Sequence, residues 1–364
     1  MPRTVPAPEM PRQRSGLQGG SRDDVTQRAD YLRYLQGYSG GDVHKVDISQ
    51  RVMVNVLDEL ETGLPNAHVS LMHHGRRVQH ATSYANGRAQ LFPRAAGLRG
   101  GEEVEIVVEA QGRTHRRSVT LGGADQQVSL VMPVAAQRKA PVVDLMFVID
   151  TTGSMGDEIS RIQLTLLDVA ARIQRLEPGA TIRYGLTLYR DRGDAYVTQV
   201  RDFTTNVQAF LADLQQAEAD GGGDTPEALN EGLHAALTGA RWTAEDTPNA
   251  LRVVLLVADA PPHLDYEQDY DYAKEMRGAA ERGIKIFPIA ASGLDDQGEY
   301  IFRQMAHHTQ GRFVFITYGG GTGHHVGQFA NNNLDDLVVG LVADEMADLM
   351  GRPRGAVRAL AMAR

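Results

Sequence analysis

The chain has 364 residues, 42% hydrophobic and 23% charged, with a formal net charge of −9 and no cysteine. That length suggests two domains. The acidic balance argues against general binding to a nucleic-acid backbone, and the absence of cysteine excludes disulfides, thiolate metal ligands and a cysteine nucleophile.

Residues 1–46 read as a tail. The stretch MPRTVPAPEMPRQRSGLQGGSRDD is rich in Pro, Gly and charge and is expected to be disordered to residue 24. It lacks the hydrophobic core of an export signal, which points to the cytoplasm. A short helix over Val25–Leu35 follows, with Asp24 as its cap, and Gly37 to Gly41 break it. No apolar run anywhere in the chain reaches the length of a transmembrane segment.

From 47 to 135 the pattern is that of β-strands. Val52, Val54 and Val56 alternate with other residues, as do Val104, Ile106 and Val108. Val69 and Leu71, Ala89 and Leu91, Val119–Leu121, and Val128, Leu130 and Met132 mark further strands. Asn86-Gly87 and Gln111-Gly112 are turn signals. Six or seven short strands at this spacing predict a small all-β sandwich, and residues 136–141 read as a linker.

From Val142 strands alternate with helices, which predicts an α/β fold with a doubly wound, mostly parallel, Rossmann-like sheet over 142–350. The first strand is the apolar run Val142–Ile149. Ile159, Ile162, Leu166, Val169 and Ile173 then recur at helical spacing. A helix is expected over Pro226–Trp242, with Thr225 as cap and Pro226 at the favoured first position. Leu251–Ala258 is almost wholly apolar, as a strand buried on both faces must be. Residues 351–364 carry four Arg and no acid and read as a frayed basic tail.

Oxygen-bearing side chains gather at three strand or loop ends. Asp150, Thr152 and Ser154 alternate, so in an extended turn they point the same way. Thr225 follows a glycine loop, and Asp259 follows the most apolar strand. In a parallel sheet such ends lie on one edge, where ligands bind. Two carboxylates and three hydroxyls are hard donors that suit Mg²⁺, with Mn²⁺ or Ca²⁺ as alternatives. Taken singly, Asp150 to Ser154 reads as a helix cap. Asp224 and Glu227 read as loop and first-turn charges, with support of the ligands from behind as the alternative, and His263 as a residue bordering the site. His307-His308 and His324-His325 have no third ligand at zinc spacing.

The order Asp150-x-Thr152-x-Ser154, then Thr225, then Asp259 resembles the metal-ion-dependent adhesion site of von Willebrand factor A (vWA) domains, with Thr152 where the family has Ser. The phrases DTTGSM, YRDRGD, DFTTN, GGGDTPEAL and VADAPPH are similar to its bacterial and hemicentin-like branch. The resemblance implies that Thr152, Ser154 and Thr225 bind the metal directly or nearly so, and that Asp150 and Asp259 act partly through water. Neutral hydroxyl ligands leave much of the ion's charge uncompensated, so an Asp or Glu carboxylate of a partner protein can complete the octahedron. Helices starting near Ser154 and Thr225 would favour that anion. Gly63-Leu64-Pro65-Asn66-Ala67, with Thr82 and Gly87-Arg88-Ala89, resembles the carboxypeptidase-regulatory-like, transthyretin-like sandwich, a spacer or binding module. Both resemblances favour an extracytoplasmic location, against the reading of the N-terminus.

The expected function is therefore a non-enzymatic, divalent-cation-dependent protein-binding module with no nucleic-acid partner. Two alternatives stand beside it: a scaffold or ATPase-associated adaptor, self-associating and with a structural metal, and a metal-dependent hydrolase. The hydrolase lacks a nucleophile–base pair and a second carboxylate-rich metal site.

Overall fold

A computed structural model describes residues 17–223, 225–267, 269–317 and 332–357. In chain order these form β1 (Gln18–Arg22), α1 (Arg28–Gly37), β2 (Val52–Leu57), β3 (His68–His73), β4 (Arg76–Thr82), β5 (Arg88–Leu91), β6 (Glu103–Ala110), β7 (Arg113–Thr120) and β8 (Gln126–Val131). There follow β9 (Val142–Asp150), α2 (Ile159–Ile173), β10 (Thr181–Tyr189), β11 (Thr198–Thr204), α3 (Val207–Gln215), α4 (Leu229–Thr238) and β12 (Ala250–Ala258). The last elements are α5 (Tyr272–Glu281), β13 (Ile284–Ala290), α6 (Asp296–His308), β14 (Phe313–Thr317), β15 (Asn332–Asn333) and α7 (Leu334–Leu349).

The large sheet has the order β11-β10-β9-β12-β13-β14-β1-β15. The five strands from β10 to β14 are parallel, whereas β11 and β1 run antiparallel to their neighbours β10 and β14. Side-chain alternation explains the helices on both faces. Leu251, Val253, Leu255 and Val257 of β12 face a core shared with Ile162 and Leu166 of α2, Phe210 of α3 and Val338 of α7. Val254, Leu256 and Ala258 face the opposite core, against Leu233 of α4, Met276 of α5 and Ile301 of α6. Asn206, Asp271 and Asp295 accept bonds from the first-turn amides of α3, α5 and α6 and so fix where those helices begin.

Strands β5-β2-β8 form a three-stranded sheet and β4-β3-β6-β7 a four-stranded one. The two enclose a common core of Val52, Val54, Leu130, Leu71, Ile106 and Val108. β4 was not singled out in the sequence, because Arg76, Arg77 and Val78 are exposed and show no apolar alternation.

This β unit is joined to the edge of the large sheet where the strands begin. Asn66 Nδ2 donates to the Ala250 carbonyl at 2.9 Å and Thr82 Oγ1 to the Glu281 carbonyl at 2.6 Å. Gln90 Nε2 donates to the His308 carbonyl at 3.1 Å. The segment 136–141 is tied down as well: Arg138 donates to the Leu349 carbonyl at 3.1 Å and to the Gly63 carbonyl at 3.0 Å. The β unit thereby meets the carboxyl ends of α5 and α6, and segment 136–141 meets that of α7. Nine-residue strands separate it from the opposite sheet edge by about 30 Å.

Both terminal segments correct the sequence reading. Residues 17–24 are not disordered: β1 lies in the large sheet between β14 and β15. Its composition conceals this, since Gly19 and Gly20 carry no strand signal, yet a β-carbon on Gly20 would lie 2.3 Å from the Phe315 ring. Glycine is therefore required there by close approach. Gly20→Ala is expected to cost about 1–3 kcal/mol, measured as a lower urea midpoint; an unchanged midpoint would show that β1 is not held against Phe315. Asp24 is not a helix cap. α1 begins at Arg28, and Asp24 is buried against Arg303. At the other end, Val357 is 1% exposed within the core, and Arg352 pairs with Glu177 at 2.6 Å. The tail is thus anchored at Val357 although residues 351–356 are exposed; residues 358–364 lie outside the described residues.

Candidate metal-binding site at the sheet edge

Strands β9 and β12 are neighbours that end together, with Ile149 opposite Val257. Asp150 closes β9, and Asp259 directly follows β12. Asp150 is wholly buried. Its Oδ1 accepts from the Thr152 amide at 2.9 Å and the Thr152 hydroxyl at 2.7 Å, and its Oδ2 from the Tyr189 hydroxyl at 3.3 Å. Thr152 Oγ1 and Ser154 Oγ are 3.1 Å apart, and Ser154 Oγ donates to Asp259 Oδ1 at 3.0 Å. Two hydroxyl-to-carboxylate hydrogen bonds, with their hydroxyl oxygens side by side, thus line the site from a buried carboxylate at the floor to Ser154, which is exposed at the mouth.

The helix-cap reading does not account for this arrangement. Residues Gly153–Asp157 form a 3₁₀ turn, and α2 starts only at Ile159. Thr152 sits in the cap position of that turn and makes no side-chain cap hydrogen bond. The hydroxyls are instead directed at carboxylates.

The electrostatics are those of a crowded acid site. Burial, and then the charge of Asp259, push the Asp150 carboxyl up to about 7. Burial also raises Asp259, against the hydrogen bond from Ser154. Glu227 is pushed up to about 8, by burial first and then by Asp150 and Asp191. Each shift reflects the cost of ionising a carboxylate away from water and beside like charge. A bound cation would remove that cost.

The glycine loop is stitched to the same place. The Gly153 amide donates to the Gly221 carbonyl at 2.9 Å, and the Asp220 amide to the Thr151 carbonyl at 3.1 Å. Asp194 Oδ2 accepts from the Gly222 and Asp191 amides at 2.9 and 3.1 Å, holding the loop against β10. Thr225 is exposed and makes no hydrogen bond among the described residues. It is not the cap of α4, and Pro226 is not its first residue, because α4 starts at Leu229. The chain instead bends at Thr225, Pro226 and Ala228, and Glu227 between them bridges to Pro262. Neither Ser154 nor Thr225 therefore opens an α-helix; α2 and α4 begin further along the chain, at Ile159 and Leu229. Asp224 lies outside the described residues.

Glu227 and His263 are interior groups, 2% and 4% exposed. His263 stacks on Tyr266 with ring centroids 3.9 Å apart and holds Asp265 at 2.7 Å. It therefore lies beneath the surface that it was expected to border. Sequence reasoning left Tyr189 between the rim of the site and the core, and assigned no role to Asp191 or Asp194. Their one signal was the phrase YRDRGD, which directly follows an apolar strand. His307 is buried against Tyr31, and His324 and His325 lie outside the described residues. Among the described residues, no three His, Cys, Asp or Glu side chains are arranged to hold a metal alone. Any ion at this edge therefore depends on the hydroxyls as well.

An open, mostly parallel sheet with helices on both faces, and with Asp, hydroxyl and Asp at the carboxyl ends of its central strands, defines the class of α/β proteins that bind ligands at that edge. The sequence model of the von Willebrand factor A domain matches residues 144–262, and the chain carries a vWA domain. Similar curated proteins include the alpha-protein kinase vwkA of Dictyostelium discoideum, 29% identical over 46% of this chain and 26% of that protein. A putative ariadne-like RING finger protein of Acanthamoeba polyphaga mimivirus is 30% identical over 37% of this chain and 13% of its own. The human von Willebrand factor A domain-containing protein 7 is 39% identical over 27% of this chain and 10% of its own. The chain thus spans about a quarter or less of each of these relatives. Among solved structures, the pilus adhesin SpaC of Lactobacillus rhamnosus GG aligns over 69% of this chain and 32% of its own, with 15% identity and a TM-score of 0.38. Among the described residues, no helix is long and apolar enough to cross a membrane.

Proposed function

We propose that this chain is a divalent-cation-dependent protein-binding module. The observation that carries the reading is the convergence of Asp150, Thr152, Ser154 and Asp259 at the open edge of the sheet, where each hydroxyl donates to one of the two carboxylates and the hydroxyl oxygens lie 3.1 Å apart. Its donor set is all hard oxygen, and its two carboxylates repel one another in the absence of a cation. Both properties fit Mg²⁺, with Mn²⁺ or Ca²⁺ as alternatives. Thr152 and Ser154 would hold the ion from the floor, Thr225 would enter from the exposed side, and Asp150 and Asp259 would act partly through water. An Asp or Glu of a partner protein would complete the coordination. The packed β unit lies at the far edge of the sheet, so it would orient the site without covering it. The chain is then a binding module and not an enzyme, and it contacts no nucleic acid.

The test is capture of partner proteins by immobilised wild type and Asp150→Ala, each in Mg²⁺ and in chelator. Wild type in Mg²⁺ is expected to retain partners that chelator or the substitution releases, a loss of tenfold or more. Retention that survives both treatments would rule the reading out. Metal-dependent turnover of a phosphoester by wild type, abolished in Asp259→Ala, would favour the hydrolase instead.

A further inference from the structure

The strand edges of the β unit are treated unequally. β4 and β5 face the α/β unit, where Thr82 reaches the Glu281 carbonyl and Gln310 Nε2 donates to the Arg88 carbonyl at 3.2 Å. The edge of β8 is closed by side chains: Arg117 donates to the Ser129 carbonyl and His115 to the Val131 carbonyl, each at 3.0 Å. β7, which supplies those two side chains, pairs on one side only, with β6. The turn between them is Gln111-Gly112, with φ of +48° and +73°. Such a two-residue turn closes on a hydrogen-bonded pair, here Ala110 and Arg113. From Arg113 onwards, alternate residues therefore turn N–H and C=O towards β6, and Thr114, Arg116 and Ser118 turn theirs outward. Among the described residues these outward groups have no hydrogen-bond partner, and every residue of β7 except Val119 is exposed.

We propose that β7 is a docking edge for an extended, acidic segment of a partner protein, which adds to the four-stranded sheet as a fifth strand. The open main-chain groups supply the bonds and the side chains of β7 supply the selection. β7 carries Arg113, His115, Arg116 and Arg117 and no acid, in a chain of net charge −9. Arg113, His115 and Arg117 share one face of the strand. Side chains directly opposite on paired strands lie close enough for unlike charges to attract and like charges to repel. Arginines on an open edge therefore keep two copies of that edge apart, so the occupant is not a second β7, whereas an acidic strand meets opposite charge along its length. Arg116 pairs with Glu105 at 2.8 Å and still leaves its side chain 59% exposed. This contact is separate from the cation site and needs no metal.

The test uses the full chain in chelator, which keeps acidic peptides from being held through a cation. The probes are capped peptides of about ten residues that alternate Glu with Val or Lys with Val. Affinity is read by fluorescence anisotropy and folding by thermal melting. The Glu peptide is expected to bind about tenfold more tightly than the Lys peptide and to protect the amides of Thr114, Arg116 and Ser118 from hydrogen exchange. Ser118→Pro removes an outward N–H without touching the ladder to β6 and should weaken the Glu peptide about tenfold. Arg113→Glu combined with Arg116→Glu should abolish the preference for the Glu peptide. No binding of that peptide at about 1 mM, equal affinity for the two peptides, or undiminished binding by folded Ser118→Pro would overturn the assignment, as would a preference that survives the charge reversal. If Ser118→Pro fails to fold, N-methylation of the Glu peptide at alternate residues, in each of the two phases, decides. Loss of binding in at least one phase supports strand addition, and equal binding by all three forms overturns it. Because every arm is run without metal, none of these outcomes bears on the cation-site reading.

Discussion

In chelator, the protein is expected to lose stability as the pH rises from about 4 to about 8, and Mg²⁺ is expected to restore it. The sign follows from Asp150, whose carboxyl is raised from 3.8 to about 7 in the folded chain. Between those values the folded protein holds a proton that the unfolded chain has released, so each increment of pH favours unfolding. Below the lower value both states are protonated, and above the upper value both are ionised. Glu227, raised from 4.5 to about 8, extends the window in the same direction. A shift of this size in a fully buried group corresponds to about 4 kcal/mol at most. A cation present at about a hundred times its dissociation constant returns roughly 2.7 kcal/mol, a rise in Tm of about 3–5 °C for a protein of this size. Asp150→Ala should flatten most of the pH slope and abolish the gain from Mg²⁺. Scanning calorimetry at several pH values, with Mg²⁺ and with chelator, measures both effects. A Tm in chelator that does not move with pH, or an equal Mg²⁺ gain in Asp150→Ala, would sink the prediction.

The second large effect lies far from the site. Asp24→Ala is expected to destabilise the chain by up to about 3–5 kcal/mol, because it strips the buried guanidinium of Arg303 of its bidentate counter-charge and leaves it Glu299 alone. Arg303 and Asp24 are 2% and 3% exposed. The pair is bidentate, with Nε to Oδ2 at 2.9 Å and Nη2 to Oδ1 at 2.8 Å. Glu299 at 3.1 Å and the Tyr34 ring at 3.7 Å complete the surroundings of the guanidinium. The double substitution Asp24→Leu with Arg303→Met removes both charges and should cost much less than either single loss. Urea unfolding of the three variants checks this. A loss below about 1 kcal/mol in Asp24→Ala would show that residues 17–46 are not part of the folded core. If the loss is as large as expected, any truncation intended to isolate the vWA domain must retain this segment.

Strands buried on both faces were legible in the sequence because burial writes itself as an unbroken apolar run, as in Leu251–Ala258. The helix over Ile159–Ile173 was legible because one buried stripe repeats at 3.6 residues. The candidate ligands Asp150, Thr152 and Ser154 were legible because residues two apart at a strand end share a direction. Other features were hidden for equally physical reasons. β1 is held by close backbone approach and not by apolar side chains, so its glycines resembled a disordered tail. The start of α4 differs from the expected one because Pro226 suits a first helical position, whereas the bridge of Glu227 to Pro262 delays the first helical turn to Leu229. The partnership of Asp24 with Arg303 spans 279 positions, and no local pattern records it.

The sequence by itself therefore determined the order of the elements, the apolar strands of the sheet, and the kinds of oxygen gathered at its edge, since each depends on neighbouring residues and their periodicity. Tertiary structure alone decided which of those oxygens meet. Ser154 reaches Asp259 across 105 positions, Glu227 is turned inward while Thr225 stays exposed, and the β unit settles at the opposite edge. These outcomes depend on contacts between segments distant in the chain, whose energies are set by burial and charge in the assembled fold.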